Sequence, residues 1–481
     1  MRRLSIPILI VTIGALTPSL GYTQADRDVV SAAASCTKLQ PPADVKLIGS
    51  PRWTDKGSLP AHCEVRGIKA HKVEFLIRLP VPWNGRFMMA GCGGFCGELL
   101  ADKPGHSNSI NEAVKRGYAA IAHDSGHKAA SWDTDWAADS EALDIWAHRI
   151  LPLMVDVGLD LTRQAYGKDP DYKYFSGCSN GGRLGLIAAQ RYPHLFDGIA
   201  AGASIFDLSG TAGLWGNWLI RNAYTDNTLL LDSTIQSPLK KVVLRQCDTK
   251  DGHTDGMISE PRHCKIDFTQ DVCEDSNCLS REQATALNAL YTGVKNQRGQ
   301  IIYPGAEFGS EHYGDIWLFG SAEKPAWGVR ASEGYRRILE RSVQQAHAKS
   351  ALSVEAMQKL IARSPVPALA DAKDADLRPF VDSGNKLLIY HGLADPLIVP
   401  KPLEDYFDAA AAATGGRAKL ESAARLFLIP GWGHCWERPA PVADLFDPLE
   451  VLERWAEEGR APEQLTLKSR DGAQTMLVPK R

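Results

Sequence analysis

The feature that most constrains this chain is a serine enclosed by glycines. Gly177-Cys178-Ser179-Asn180-Gly181-Gly182 follows a short apolar run at 172–175 and precedes an apolar-periodic stretch at 185–192. The run has the length and bounds of a buried strand, and the stretch has helical spacing. Passing from strand to helix in so few residues demands a sharp turn. Side chains at 177, 181, 182 or 185 would collide with the neighbouring strand and helix, and glycine removes that collision. The competing reading, a serine in an ordinary glycine turn, does not explain why the glycines sit on both sides of it.

The rest of the chain repeats the alternation. Strand-like runs occur at 73–79, 86–90, 118–122, 386–390 and 425–428, with helical patterns at 141–165, 402–413 and 445–458. Strands alternating with helices predict a mainly parallel sheet covered by helices. Between 208 and 373 the alternation stops, giving way to clustered cysteines, scattered tryptophans and a helical stretch at 332–348. The expected architecture is an α/β-hydrolase core formed by 26–207 and 374–481, with a large inserted lid domain at 208–373.

Arg2 and Arg3 precede an apolar run at 4–16, and the small residues Thr23 and Ala25 follow. This is a signal-peptide pattern over 1–25, and it predicts a secreted or periplasmic protein. The run is too short and too interrupted to span a bilayer. A net charge of -3 gives no reason to expect nucleic acid or a membrane surface as partner. Ten cysteines in an oxidising compartment favour disulfides. Zinc is the alternative at 247–278, but no C-x-x-C pair is present there.

A serine on such a turn is a nucleophile when a base and an acid reach it, in the chain order serine, acid, histidine. Asp395 follows the run at 386–390 and His434 follows the run at 425–428. Both therefore fall at strand C-termini, where sites assemble in open parallel sheets. His434 would take the Ser179 proton and Asp395 would fix its tautomer. His391 precedes the acid and reads as a packed or hydrogen-bonding residue. His123 and His127 lie upstream of the serine, and Asp444 follows the histidine; Asp207 is the rival acid. The oxyanion donors expected are the Asn180 backbone N–H and that of Gly93 or Gly94, in the glycine-rich loop 91–97. That loop could also be only a tight turn closed by its cysteines.

These residues give the chain a resemblance to the tannase and feruloyl esterase family. The resemblance is carried by Tyr174-Phe175-Ser176-Gly177-Cys178-Ser179-Asn180-Gly181-Gly182-Arg183, by Tyr390-His391-Gly392 with Asp395-Pro396-Leu397-Ile398, and by Gly433-His434-Cys435. Pro82-Trp83-Asn84-Gly85-Arg86-Phe87, Phe196-Asp197-Gly198 and Pro304-Gly305-Ala306-Glu307 support it. It implies a carboxylic-ester hydrolase acting through an acyl-enzyme on esters of feruloyl, galloyl or terephthaloyl type, with no organic cofactor. Leu393 and Trp436-Glu437-Arg438 depart from the family pattern beside the proposed triad. Other readings are a serine peptidase on the same scaffold, distinguished by amide turnover, and a catalytically silent protein that binds aromatic ligands. Trp317, Phe319 and Trp327 are lid aromatics that either shape a pocket or fill a core.

Asp248, Asp251 and Asp255 recur in one loop with small or glycine residues between them, a spacing that suits a structural calcium ion. The resemblance implies calcium there too, with the carbonyls of His253 and Met257 completing its shell. It also marks a cysteine beside the serine and another beside the histidine. If Ser179 and His434 meet, Cys178 and Cys435 come within disulfide distance. Two free thiols, or bonds to lid cysteines, are the alternative. Local pairing of the others gives Cys247–Cys264 and Cys273–Cys278, with Cys36–Cys63 and Cys92–Cys96 the local solution among four whose pairing the sequence leaves open.

Overall fold

The computed structural model describes residues 31–70, 72–103, 109–225, 228–273, 278–321, 324–346, 351–435, 446–468 and 474–480. The expected signal segment, Trp436-Glu437-Arg438 and Asp444 lie outside the described residues.

A ten-stranded sheet organises the chain. Its strands are β1 (Val45–Leu47), β2 (Arg52–Thr54), β3 (His62–Lys69), β4 (Val73–Pro80), β5 (Arg86–Ala90), β6 (Ala119–His123), β7 (Tyr172–Cys178), β8 (Gly198–Gly202), β9 (Lys386–Gly392) and β10 (Ala424–Ile429). The spatial order is β1-β3-β4-β6-β5-β7-β8-β9-β10, with β2 also paired to β3. Pairing is parallel from β6 to β10 and antiparallel from β1 to β4 and across β4–β6. This mixed sheet, flanked by helices, is an α/β-hydrolase fold. β1 to β3 were not legible beforehand: two are three residues long, and β3 carries charges among its apolar residues.

Helices cover the sheet where the periodicity puts them. α1 (Ile150–Tyr166) buries Ile150, Leu151, Met154, Val155 and Leu161 on one stripe, and Gly167 ends it in the left-handed conformation. A side chain at Gly158 would enter the Phe87 ring, so glycine sets how closely α1 approaches the sheet. α2 (Asn180–Arg191) joins β7 to β8, α3 (Lys401–Thr414) joins β9 to β10, and α4 (Pro448–Glu458) closes the fold, capped by Asp447. The helix expected over 141–165 is broken at Ile145–Arg149 by a π-helical turn.

Between β8 and β9 the inserted segment builds a second core around Leu239, Phe268, Leu287 and Phe319. Its helices include Gln236–Cys247, Arg281–Thr292 and Trp327–Ser342, the last displaced N-terminally from the expected 332–348. Ala372 N–H donates to Phe206 O (2.7 Å), so the segment leaves and rejoins the core at one place. Tyr313, Trp317 and Tyr335 pack into the main core. Among the described residues no helix is long and apolar enough to cross a membrane.

All ten cysteines are bonded: Cys36–Cys63, Cys92–Cys96, Cys178–Cys435, Cys247–Cys264 and Cys273–Cys278.

Candidate active site

Ser179 stands at the tip of the turn between β7 and α2 with φ 62° and ψ -120°, a conformation disfavoured for any residue with a side chain. Its N–H donates to Gly202 O (3.0 Å), and its carbonyl accepts from Arg183 N–H (3.0 Å). The glycines make this possible. A Cβ at Gly177 would lie 2.7 Å from the Gly181 backbone, and one at Gly182 would lie 2.4 Å from Gly202 O.

Asp395 and His434 come together from the loops after β9 and β10. Both are buried, with His434 Nδ1 2.8 Å from Asp395 Oδ2. Asp395 Oδ1 accepts from Leu397 N–H and Ile398 N–H, each at 2.9 Å. His391, near the end of β9, hydrogen-bonds to the loop that bears Asp395. Its Nε2 donates to Ile398 O (2.8 Å) and lies 3.4 Å from Asp395 Oδ2. Burial would push the Asp395 carboxyl up, but the facing His434 and His391 rings hold it well below the usual carboxylate range. An ionised Asp395 accepts a hydrogen bond from His434 Nδ1–H, which makes Nε2 the nitrogen with the basic lone pair. The Cys178–Cys435 disulfide joins the residue before Ser179 to the residue after His434, with Cα atoms 6.0 Å apart.

The rival residues have other partners or surroundings. The Asp207 carboxylate accepts from Gly210 N–H (2.9 Å) and pairs with Lys373 (3.0 Å). His123 and His127 are buried; desolvation pushes the first down to about 3 and the second to about 4. His127 stacks on Trp136.

Ser179, Asn180 and Gly94 line one cavity, whereas Gly93 does not line it. The other walls are mostly apolar and include Trp132, Leu208, Trp215, Trp317 and Leu397. Of the three aromatics singled out in the inserted segment, Trp317 lines the cavity and meets the His434 ring edge-on (centroids 4.8 Å apart). Trp327 packs behind it at 5.2 Å, and Phe319 belongs to the second core. Trp132, Leu208 and Trp215 carried no signal in the sequence, because each reads as an isolated apolar residue until the fold gathers them.

Behind the 91–97 loop lies a buried carboxyl. The Asp124 carbonyl accepts from Gly97 N–H (2.9 Å), while Oδ1 accepts from Gly126 N–H (2.9 Å) and Glu74 N–H (3.1 Å). Burial pushes its carboxyl up from 3.8 to about 7, against the pull of those two amides. Across that window the folded protein keeps a proton that the unfolded chain has released, so stability falls as pH rises. Asp124→Asn removes the titration. Its melting temperature should match wild type near pH 4 and exceed it by a few degrees at pH 8. A difference that stays constant across this range would refute the assignment.

The aspartate loop differs from expectation. Asp248 Oδ1 accepts from Gly256 N–H (3.0 Å), Asp251 from His253 N–H (3.0 Å) and Ser259 N–H (2.8 Å), and Asp255 Oδ1 from Met257 N–H (3.0 Å). The carboxylates cap their own loop's amides. Among the described residues no three His, Cys, Asp or Glu side chains gather as a metal site. The calcium expected at Asp248, Asp251, His253, Asp255 and Met257 is therefore not supported.

Residues 58–478 match the family model of tannase and feruloyl esterase. The chain is 28% identical to mono(2-hydroxyethyl) terephthalate hydrolase of Piscinibacter sakaiensis, over 87% of this chain and 80% of that protein. It is 27% identical to feruloyl esterase B of Aspergillus niger, over 80% and 75% respectively. Its fold is similar to the crystal structure of feruloyl esterase B from Aspergillus oryzae, with TM-score 0.81 and 22% identity over 93% of this chain and 95% of that one. A match over nearly the whole chain, together with these esterase relatives, establishes that the protein belongs to the tannase and feruloyl esterase family and is a carboxylic-ester hydrolase.

Proposed function

We propose that Ser179, His434 and Asp395 are the catalytic triad of a two-step ester hydrolysis. Ser179 Oγ attacks the ester carbonyl as its proton passes to His434 Nε2. The imidazolium then protonates the leaving alcohol, and an acyl-enzyme remains. Water, deprotonated by His434, releases the acid and restores the serine. The Asn180 and Gly94 backbone N–H groups are the oxyanion donors in this reading. The observation that carries it is the buried Asp395–His434 pair, tied by the Cys178–Cys435 bond to the strained turn that bears Ser179. The inserted segment acts as a lid, and the five disulfides favour an exported protein.

The acyl group proposed is aromatic and uncharged. No charged side chain is among the described residues lining the cavity, and its polar side chains beyond the tryptophan indoles are Ser179, Asn180 and Thr211. The Thr211 hydroxyl is already bonded to Tyr303 OH (2.9 Å). A carboxylate placed there would lose its water with no cation to face among the described lining residues, which costs several kcal/mol. Benzoate and cinnamate-type esters should therefore exceed a terephthalate half-ester in kcat/KM by at least about tenfold, since roughly 1.4 kcal/mol suffices for that ratio. Gallate esters should fall between, their hydroxyls only partly satisfied. Comparable kcat/KM for the half-ester in a steady-state panel would overturn this substrate class.

A further inference from the structure

We infer that the Asn180 carboxamide and the Arg183 guanidinium are positioning residues that hold the two oxyanion-donor segments in register. The inference rests on the hydrolytic reading of Ser179.

Arg183 lies on α2, one turn past the serine, and is fully buried. Its partners are oxygens that converge from separate segments. Nε donates to Asn180 Oδ1 (2.7 Å), Nη1 to Ala147 O (2.7 Å) and Ala370 O (3.0 Å), and Nη2 to Trp146 O (3.2 Å). The guanidinium also lies 4.7 Å above the Trp146 ring. Two of those carbonyls belong to the π-helical turn that interrupts the helix before α1, so a local irregularity supplies acceptors to a buried cation. With four hydrogen bonds and a ring face, this side chain has little freedom to move.

That rigidity passes to Asn180. A guanidinium only donates, so the Asn180 atom facing it is the carbonyl oxygen, and the amide's orientation follows. The NH2 group then points at the glycine loop, to Cys92 O (3.3 Å) and Cys96 Sγ (3.2 Å). Gly91 N–H to Ser176 O (2.9 Å) fixes where the loop begins, and the Asn180 amide fixes its disulfide-closed part. The loop carries Gly94 and the helix start carries the Asn180 N–H. One carboxamide thus sets the separation of the two donors, and an oxyanion hole depends on that separation.

The test uses the full-length enzyme. Wild type is first treated with a fluorophosphonate, whose labelling of Ser179 checks the parent reading and counts active sites. Asn180→Ala and Asn180→Leu keep the backbone N–H and remove the bridge; Arg183→Met removes the anchor, and Arg183→Lys keeps a charge without the fork. Each variant is measured for kcat, KM and affinity for an aryl boronic acid, which mimics the tetrahedral intermediate, and for the free product acid. Misplacing the donors should lower kcat per labelled site by about 10²-fold. KM and product-acid affinity should change less than about twofold, and boronate affinity should fall in step with kcat. Arg183→Lys should recover only part of the loss. If Arg183→Met does not fold, the two Asn180 variants decide the matter. Wild-type kcat and boronate affinity per labelled site in both would overturn the inference alone. Failure of wild type to label at Ser179 would overturn the hydrolytic reading and the inference together.

Discussion

Ser179→Ala and His434→Ala should each lower kcat by roughly 10⁴–10⁶-fold, because the remaining rate comes from oxyanion donors and binding alone. The melting temperature should be nearly unchanged in Ser179→Ala and lower in His434→Ala, which leaves the buried Asp395 carboxyl without its partner ring. Alanine inherits the same positive φ as the serine it replaces, so the strain of the turn is not relieved and the fold is not penalised. Asp395→Asn is the sharper test, with an expected loss of about 10⁴-fold. Asp395 Oδ1 accepts two backbone N–H groups. The asparagine oxygen will therefore keep that side, and its NH2 will face His434 Nδ1. The ring must then accept at Nδ1 and carry its proton on Nε2, the nitrogen that should receive the serine proton. Asp207→Asn, whose carboxylate serves Gly210 and Lys373, should retain most activity. Steady-state kinetics on the purified variants checks this. Near wild-type turnover in Asp395→Asn, with loss in Asp207→Asn, would reverse the choice of acid.

Replacing Cys178 and Cys435 together with alanine should reduce both activity and stability, and activity by more than unfolding explains. The bond closes a sequence separation of 257 residues. Loop-closure entropy puts such a link at up to about 5 kcal/mol. The local effect is the more informative. Ser179 at φ 62° and Cys435 at φ 57° both hold left-handed backbone conformations, and each is adjacent to or part of the bond. Without it, the serine turn and the histidine loop can relax independently, and Ser179 and His434 lose their shared anchor. Well below the melting temperature, kcat per fluorophosphonate-reactive site should fall by at least about tenfold, within the range that small misplacements produce. Unchanged kcat per reactive site would make the bond a stabiliser of the fold only. Double replacement is needed because a single free thiol could exchange with the other four disulfides.

Local patterns carried a large part of this protein. The glycines around Ser179 made the strand–turn–helix legible, since steric demand at a sharp turn is a matter of neighbours in sequence. Apolar runs ending at polar loops placed Asp395 and His434 after strands, and parallel strands bring their C-termini to one edge. Cysteines beside the serine and the histidine then pointed to the Cys178–Cys435 bond. By contrast, nothing in the sequence signals that Arg183 is buried. Its burial depends on carbonyls from a π-helical turn and from residue 370, which only folding assembles. The aspartate loop shows the same limit from the other side. Its carboxylates are visible in sequence, but backbone amides decide where they point. By itself the sequence determined the strand–helix order, the serine turn and the loops that bear the acid and the histidine, because these follow from short-range sterics and periodicity. The tertiary structure alone decided the cavity walls, the burial of Arg183 and the direction of the loop carboxylates, because each depends on groups distant in the chain meeting at hydrogen-bond or van der Waals range.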